Sequence, residues 1–325
     1  MALRRLVGFG LVGALLIGAA IAAWIFLGWT AAGPAKAATP IVIPQGASVA
    51  RAAEELEKAG VLASAESFRL RARLFGGSKP IRAGEYEVPA GASPSQLLEL
   101  LQSGRVLQRF VIVPEGLPSV MVHDRLMRAQ FLTGDAPVPE EGSVLPDSYS
   151  YQRGESRAAV LKRMQDAMDK EWAGLWPTRK PRSAVSGRNE AITLASIVEK
   201  ETGKPSERRM VAGVLSNRLR IGMMLGADAT TIYPITKGRP LGRMIRVSEL
   251  RDRNPYNTRA VAGLPPGPIT NPGREAIAAV LDPAETDAMY YVADGTGGHV
   301  FSRTLQEHNA NAERWRALRR ARGEM

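Results

Sequence analysis

The hydrophobic pattern changes period several times along the chain, and each change marks an expected element. Residues 6–29 (LVGFGLVGALLIGAAIAAWIFLGW) contain no charged side chain. A helix of that length measures about 36 Å, enough to cross a hydrocarbon core of roughly 30 Å. Two similar stretches follow, "IPQGASVARAAEELEKAGVL" (43–62) and "VPAGASPSQLLELLQSGRV" (88–106). Each passes from an apolar residue through Pro and Gly to a serine suited to cap a helix, Ser48 in the first and Ser93 or Ser95 in the second. Helical spacing then appears, at Val49, Ala52, Ala53 and Leu56 and at Leu97, Leu98 and Leu101, and ends near Gly60 or Gly104. Between them "IRAGEYEV" (81–88) reads as a strand, so the pattern predicts a small α+β module built on a strand–helix–strand repeat. It reads equally as a spacer or as a glycan-binding module.

Downstream the pattern predicts a strand and turn in "RFVIVPEG" (109–116), a helix over 119–129 and a loop in "EGSVLPDSYSY" (141–151). Amphipathic helices are expected over 158–172, 189–202 and 206–221, the last capped by Ser206 and stopped by Gly222. The proline-rich stretch 254–273 reads as loop. A helix over 274–281, strands over 288–294 and 299–302 joined by a GTGG turn, and a basic helix from Leu305 complete the chain. The whole reads as α+β: residues 1–5 cytoplasmic, 6–29 transmembrane, 30–40 linker, 41–108 the small subdomain and 109–325 a larger domain.

Charge sharpens the topology. Arg4 and Arg5 precede the apolar stretch, so the positive-inside rule keeps the N-terminus cytoplasmic and sends the body outside. A signal peptide would have a shorter apolar core, and although residues 31–38 (AAGPAKAA) offer a cleavage site, an uncleaved anchor is the favoured reading. The chain of 325 residues carries a formal net charge of +11 without a nucleic-acid-binding signature, so a solvated basic surface is expected rather than a nucleic-acid partner. Cysteine is absent, which removes thiolate catalysis and Cys-ligated zinc, and with only three histidines a His-rich metal centre is not expected. No phosphate-binding glycine loop is present, and no cofactor is expected.

The chemistry is sought in "ASIVEKET" (195–202). Leu194, Ile197, Val198 and Glu201 fall on one helical stripe, which leaves Glu199 toward solvent or a rim partner. A carboxyl on an apolar face is desolvated, stays protonated to higher pH and can give a proton to a leaving oxygen. Against this, Glu201 is in the last turn before Gly203, where the stripe can surface. Asn217 interrupts a second apolar face, with Met210, Val214 and Ile221, so the two polar residues can meet in a cleft.

Several long phrases together resemble the endolytic murein transglycosylases of the YceG-like family: "ASIVEKETGKPSER", "VLSNRLRIGMMLGADATTIYPI", "PYNTRAVAGLPPGPITNPG" and "YYVADGTGGHVFSRTLQEHN", with "LPDSYSY" near the family's Pro-Asp-Thr-Tyr segment. The likeness runs from about Ile41 to the end, with Leu145 standing where Phe is common. It implies that residues 41–108 are a LysM-like subdomain and that the protein is an inner-membrane enzyme, with its catalytic part in the periplasm, that cuts peptidoglycan strands and works beside wall synthases. It implies that Glu201 is the acid–base and that the muramyl C6 hydroxyl displaces the leaving sugar to give a 1,6-anhydro end. Asn217, Asp228, Thr231, Tyr233, Tyr256, Asn257 and His299 are then expected to orient the sugar, and Glu199 to support Glu201 or hold a salt bridge. The rivals are a hydrolase recruiting Glu199 or Asp228 to activate water, and a non-enzymatic wall-binding scaffold.

Overall fold

A computed structural model describes residues 2–323. The chain divides after Arg109 into two compact units.

The first unit contains α1 (Ala2–Thr30), β1 (Thr39–Ile43), α2 (Val49–Lys58), α3 (Ala65–Phe75), β2 (Gly84–Val88) and α4 (Pro94–Ser103). β1 and β2 pair antiparallel with Ile41 opposite Tyr86. Ile41, Ile43, Tyr86 and Val88 close a core with Leu56, Phe68, Leu97 and Leu101. The repeat seen in the sequence is visible as strand, turn, capping serine and helix. Gly46 and Gly91 take matching left-handed φ values of 74° and 68°. Ser48 accepts the Arg51 N–H, and Ser93 forms a capping box with Gln96. The extra helix is α3, whose "SFRLRARLF" alternates with period two and hides its helical face.

Residues 31–38 are irregular, as expected, but they are tied down: Gly33 donates to Gly91, and Gly91 to Ala35. The strand begins at Thr39, inside the stretch expected to be linker. Val12–Thr30 of α1 is long and apolar enough to cross a membrane, yet its end belongs to the unit's core, where Trp29 is 7% exposed.

β3 (Arg109–Ile112) starts at the boundary and leads into the second unit, where α5 (Ser119–Arg128), β4 (Ser148–Tyr151) and α6 (Arg157–Leu175) come next. β3 pairs with β4, so the end of the expected loop 141–151 is a strand that buries Tyr149 and Tyr151 beside Val111, Val122, Leu126 and Met164. Next come α7 (Arg188–Glu201), α8 (Arg208–Arg220), α9 (Asp228–Thr236), α10 (Val247–Arg251) and α11 (Arg274–Leu281). α7 is the central helix, packed on α8 and α11 and buried at every residue from 191 to 198. α8 starts later than expected, because Pro205–Glu207 forms a 3-10 turn and Ser206 caps nothing. α9 was not anticipated: "DATTIYPIT" is rich in β-branched residues and contains Pro234, all poor helix formers. β5 (Tyr290–Ala293) and β6 (His299–Ser302) form the expected hairpin, followed by α12 (Leu305–Ala321).

Candidate active site

Both glutamates of "EKE" end up inside the protein. A one-sided apolar stripe implies a helix with one wet face, and α7 has none over most of its length. Glu199 therefore does not meet solvent: its side chain is 5% exposed. One of its oxygens lies 3.2 Å from Arg208, which also pairs with Glu115 at 2.7 Å; the other accepts the N–H of Gly273 at 2.8 Å, at the start of α11. Burial pushes the Glu199 carboxyl up, and Glu115 adds to this, while the Gly273 N–H and Arg208 pull it back. Its role in the fold is to hold α7, α8 and α11 together.

Glu201 has a different neighbourhood. It is the last residue of α7, and one of its oxygens accepts a hydrogen bond from the Tyr291 hydroxyl at 2.8 Å. Burial pushes its carboxyl above the ordinary carboxylate range, and the charge of Asp228 adds to that; the Tyr291 hydroxyl, His299 and Arg259 pull the other way. Tyr291 itself is pushed well up by burial and by Glu201, so it stays a neutral donor. The contrast is in the partner: Glu199 faces a guanidinium, Glu201 a phenol. Desolvation lets the Glu201 carboxyl hold its proton to higher pH, the direction a general acid needs, while the Tyr291 hydroxyl orients it and opposes part of that shift.

The hairpin supplies the wall around Glu201. In its register Tyr291 faces Phe301 and Ala293 faces His299, which puts Tyr291, His299 and Phe301 on one side of the ribbon. The Tyr291 and His299 rings meet edge to face at 5.3 Å. His299 is held by Glu207, which takes its backbone N–H at 3.1 Å and lies 2.8 Å from its Nδ1. Burial works against the charge of Glu207, but these contacts with His299 hold its carboxyl below the usual range. On the α8 side the Arg218 guanidinium lies 5.7 Å from the centre of the Tyr291 ring and donates to the carbonyls of Met289 and Leu225.

The other expected residues sort into two groups. Asp228 opens α9, acts on Glu201 through its charge, and is paired with Arg259. Thr231 and Asn257 are 2% and 1% exposed and bonded to each other; Asn257 also donates to the carbonyls of Glu249, Leu250 and Asp252, so its amide is spent on its own loop. Tyr233 and Tyr256 pack ring on ring at 4.9 Å beside the buried carboxyl of Glu141. Asn217 donates to the carbonyls of Thr286 and Ala288 and lines a separate cavity of about 550 Å³ with Lys180, Arg182 and Arg220. The structure thus brings Asp228 and His299 to Glu201, and gives Asn217, Thr231 and Asn257 work within the fold. Tyr291, Glu207, Arg218 and Arg259 were not anticipated; the alternation of the two hairpin strands carries a signal for Tyr291. Among the described residues no group of three or more His, Asp or Glu side chains is arranged to hold a metal ion.

The model of the YceG-like family matches residues 41–314. The chain belongs to the YceG-like family. It is 26% identical over 312 residues to a protein of Bacillus subtilis (strain 168) named endolytic murein transglycosylase, covering 86% of this chain and 85% of that one. A protein of the same name from Streptococcus pneumoniae serotype 2 is 29% identical over 318 residues, covering 83% of this chain; the match spans 57% of the pneumococcal protein. The crystal structure of a YceG-like protein from Listeria monocytogenes superposes with a TM-score of 0.55 at 25% identity, over 85% of this chain and 99% of that one. Within this YceG-like chain the Glu201 neighbourhood lies wholly inside the matched region.

Proposed function

We propose that this chain is a membrane-anchored lytic transglycosylase that cuts peptidoglycan strands internally, at the β-1,4 bond between N-acetylmuramic acid and N-acetylglucosamine, during wall biogenesis, so ending glycan chain elongation. The observation that carries the chemistry is the buried Glu201 carboxyl held by the neutral Tyr291 hydroxyl. Glu201 gives its proton to the glycosidic oxygen as the bond to C1 breaks. Charge on the muramyl ring develops as in other glycosidic cleavages. The ionised Glu201 then takes the proton of that sugar's C6 hydroxyl while O6 bonds to C1, so the product is a 1,6-anhydro end and no water is consumed. Because the nucleophile belongs to the substrate, one protein carboxyl is enough, and fixing the ring near that hydroxyl supplies the advantage of an intramolecular step.

The arrangement of acids supports this over a two-carboxylate hydrolase. Glu199 is committed to Arg208 and Gly273, and Asp228 is paired with Arg259. Anchoring is supported by α1: its end is part of the unit's core, as a leader to be removed would not be. The two-stranded sheet with its helices at 41–108 is read as the LysM-like glycan-binding part. The catalytic part then faces the periplasm, close to the synthases that feed it strands. The test is digestion of purified peptidoglycan by the full chain in detergent. Wild type should release anhydro-muramyl ends within strands, and Glu201→Gln should lower their rate by at least about 10³-fold. Sacculus binding without products from either form would show a scaffold instead.

A further inference from the structure

Helix α3 carries an apolar face that its own unit leaves uncovered. Phe68 is in the core, while Leu70, Leu74 and Phe75 are 52%, 57% and 45% exposed. Leu70 and Leu74 are one turn apart and share a face. Arg69 and Arg73 flank it; both are exposed, and among the described residues neither pairs with an acid.

This helix is fastened across the end of α1. The Arg71 Nε donates to the Ile25 carbonyl at 3.1 Å, and its guanidinium lies 5.3 Å from the Trp24 ring centre. Gly28 makes room for it, since a Cβ there would meet the guanidinium. The Trp29 ring packs on Phe68 and Phe75 at 5.9 and 6.1 Å, and Phe26 meets Phe75 edge-on at 6.1 Å. Counted from Leu6, α1 has risen about 29 Å when it reaches Ile25, the thickness of a hydrocarbon core. The residue that α3 grips is therefore the one at which a membrane-crossing α1 leaves the acyl chains. Tryptophans at 24 and 29 suit that depth.

We propose that α3 lies on the outer surface of the bilayer that α1 crosses, with Leu70, Leu74 and Phe75 in the acyl boundary and Arg69 and Arg73 among anionic phospholipid headgroups. The proposal rests on the reading of α1 as an uncleaved anchor. Continuity with the apolar surface of α1 and the unpaired cationic flank select an anionic lipid surface as the occupant. Two attachments, one crossing and one lying flat, fix the tilt of the first unit on the membrane.

The cysteine-free chain allows single-site labelling. Full-length protein carrying a fluorescent probe at Leu74→Cys would be placed in phosphatidylglycerol vesicles containing nitroxide lipids labelled at a shallow or at a deep acyl position, the shallow label read at 74 and the deep label at Leu16→Cys in α1, beside a probe at Glu57→Cys on the solvent side of α2. The probe at 74 should emit to the blue of that at 57 and be quenched at least about twofold more, and Arg69→Gln with Arg73→Gln should reduce this quenching. Quenching at 16 but not at 74 would overturn the proposal while the anchor stands. No quenching at either site would remove the anchor reading and the proposal with it. A blue-shifted probe at 74 without lipid quenching would mean that protein, such as a second copy, covers this face, and would also overturn it.

Discussion

Glu199 and Glu201 are two residues apart on α7, both desolvated, and separated in character by what answers their charge. Because burial raises the Glu201 carboxyl, the folded state binds its proton more tightly than the unfolded chain does. Stability from this site is therefore present at acid pH and is lost as pH rises through the folded-state value. Glu201→Gln should raise the Tm of the detergent-solubilised chain at pH 7–8, by about 2–4 °C for each kcal/mol relieved, while abolishing activity. An unchanged or lower Tm would show that Glu201 is well solvated. Tyr291→Phe removes a hydrogen bond that pulls the Glu201 carboxyl down. The alkaline limb of the pH–rate profile should then move to higher pH, with the maximal rate retained within about tenfold; a limb that stays in place would detach Tyr291 from the titrating group. The sequence does point to Glu201, but through a one-sided stripe that the structure replaces with burial on all sides. Tyr291 was legible in part, from the hairpin alternation. Arg218, Glu207 and Arg259 were not, since their relation to Glu201 depends on how three separate segments fold together.

At the scale of elements, local pattern served where periodicity and caps agree. α11, β6 and the start of α12 fall where 274–281, 299–302 and Leu305 were expected, because each has a clear boundary signal such as the Thr304–Glu307 capping box. α9 and α3 escaped because their residues favour another period or another conformation. The loop 254–273 was correctly irregular, but its polar residues mislead: Asn257 was expected at the substrate, and its amide instead gathers three carbonyls and the Thr231 hydroxyl. Asn257→Ala should leave those groups without partners and cost about 2–3 kcal/mol in urea unfolding. A purely sugar-binding Asn257 would raise KM and leave stability unchanged.

At the scale of the whole molecule, the length and flanking charge of the apolar start favour an uncleaved anchor, but the sequence does not show what its end packs against. The structure ties it to the rest of the first unit through Trp29, Phe68 and Phe75. Intact mass of the protein isolated from membranes should match a chain that still contains residues 6–38, and a mature N-terminus near Ala38 would contradict the anchor. The claim on which everything turns is that the substrate, not water, is the nucleophile. The most direct measurement is digestion of peptidoglycan by the full chain in water enriched in ¹⁸O, with the fragments weighed. Anhydro-muramyl ends free of the heavy isotope, formed by wild type and not by Glu201→Gln, are the expected result. Reducing ends carrying ¹⁸O would contradict it and make the protein a hydrolase with a second carboxylate at work.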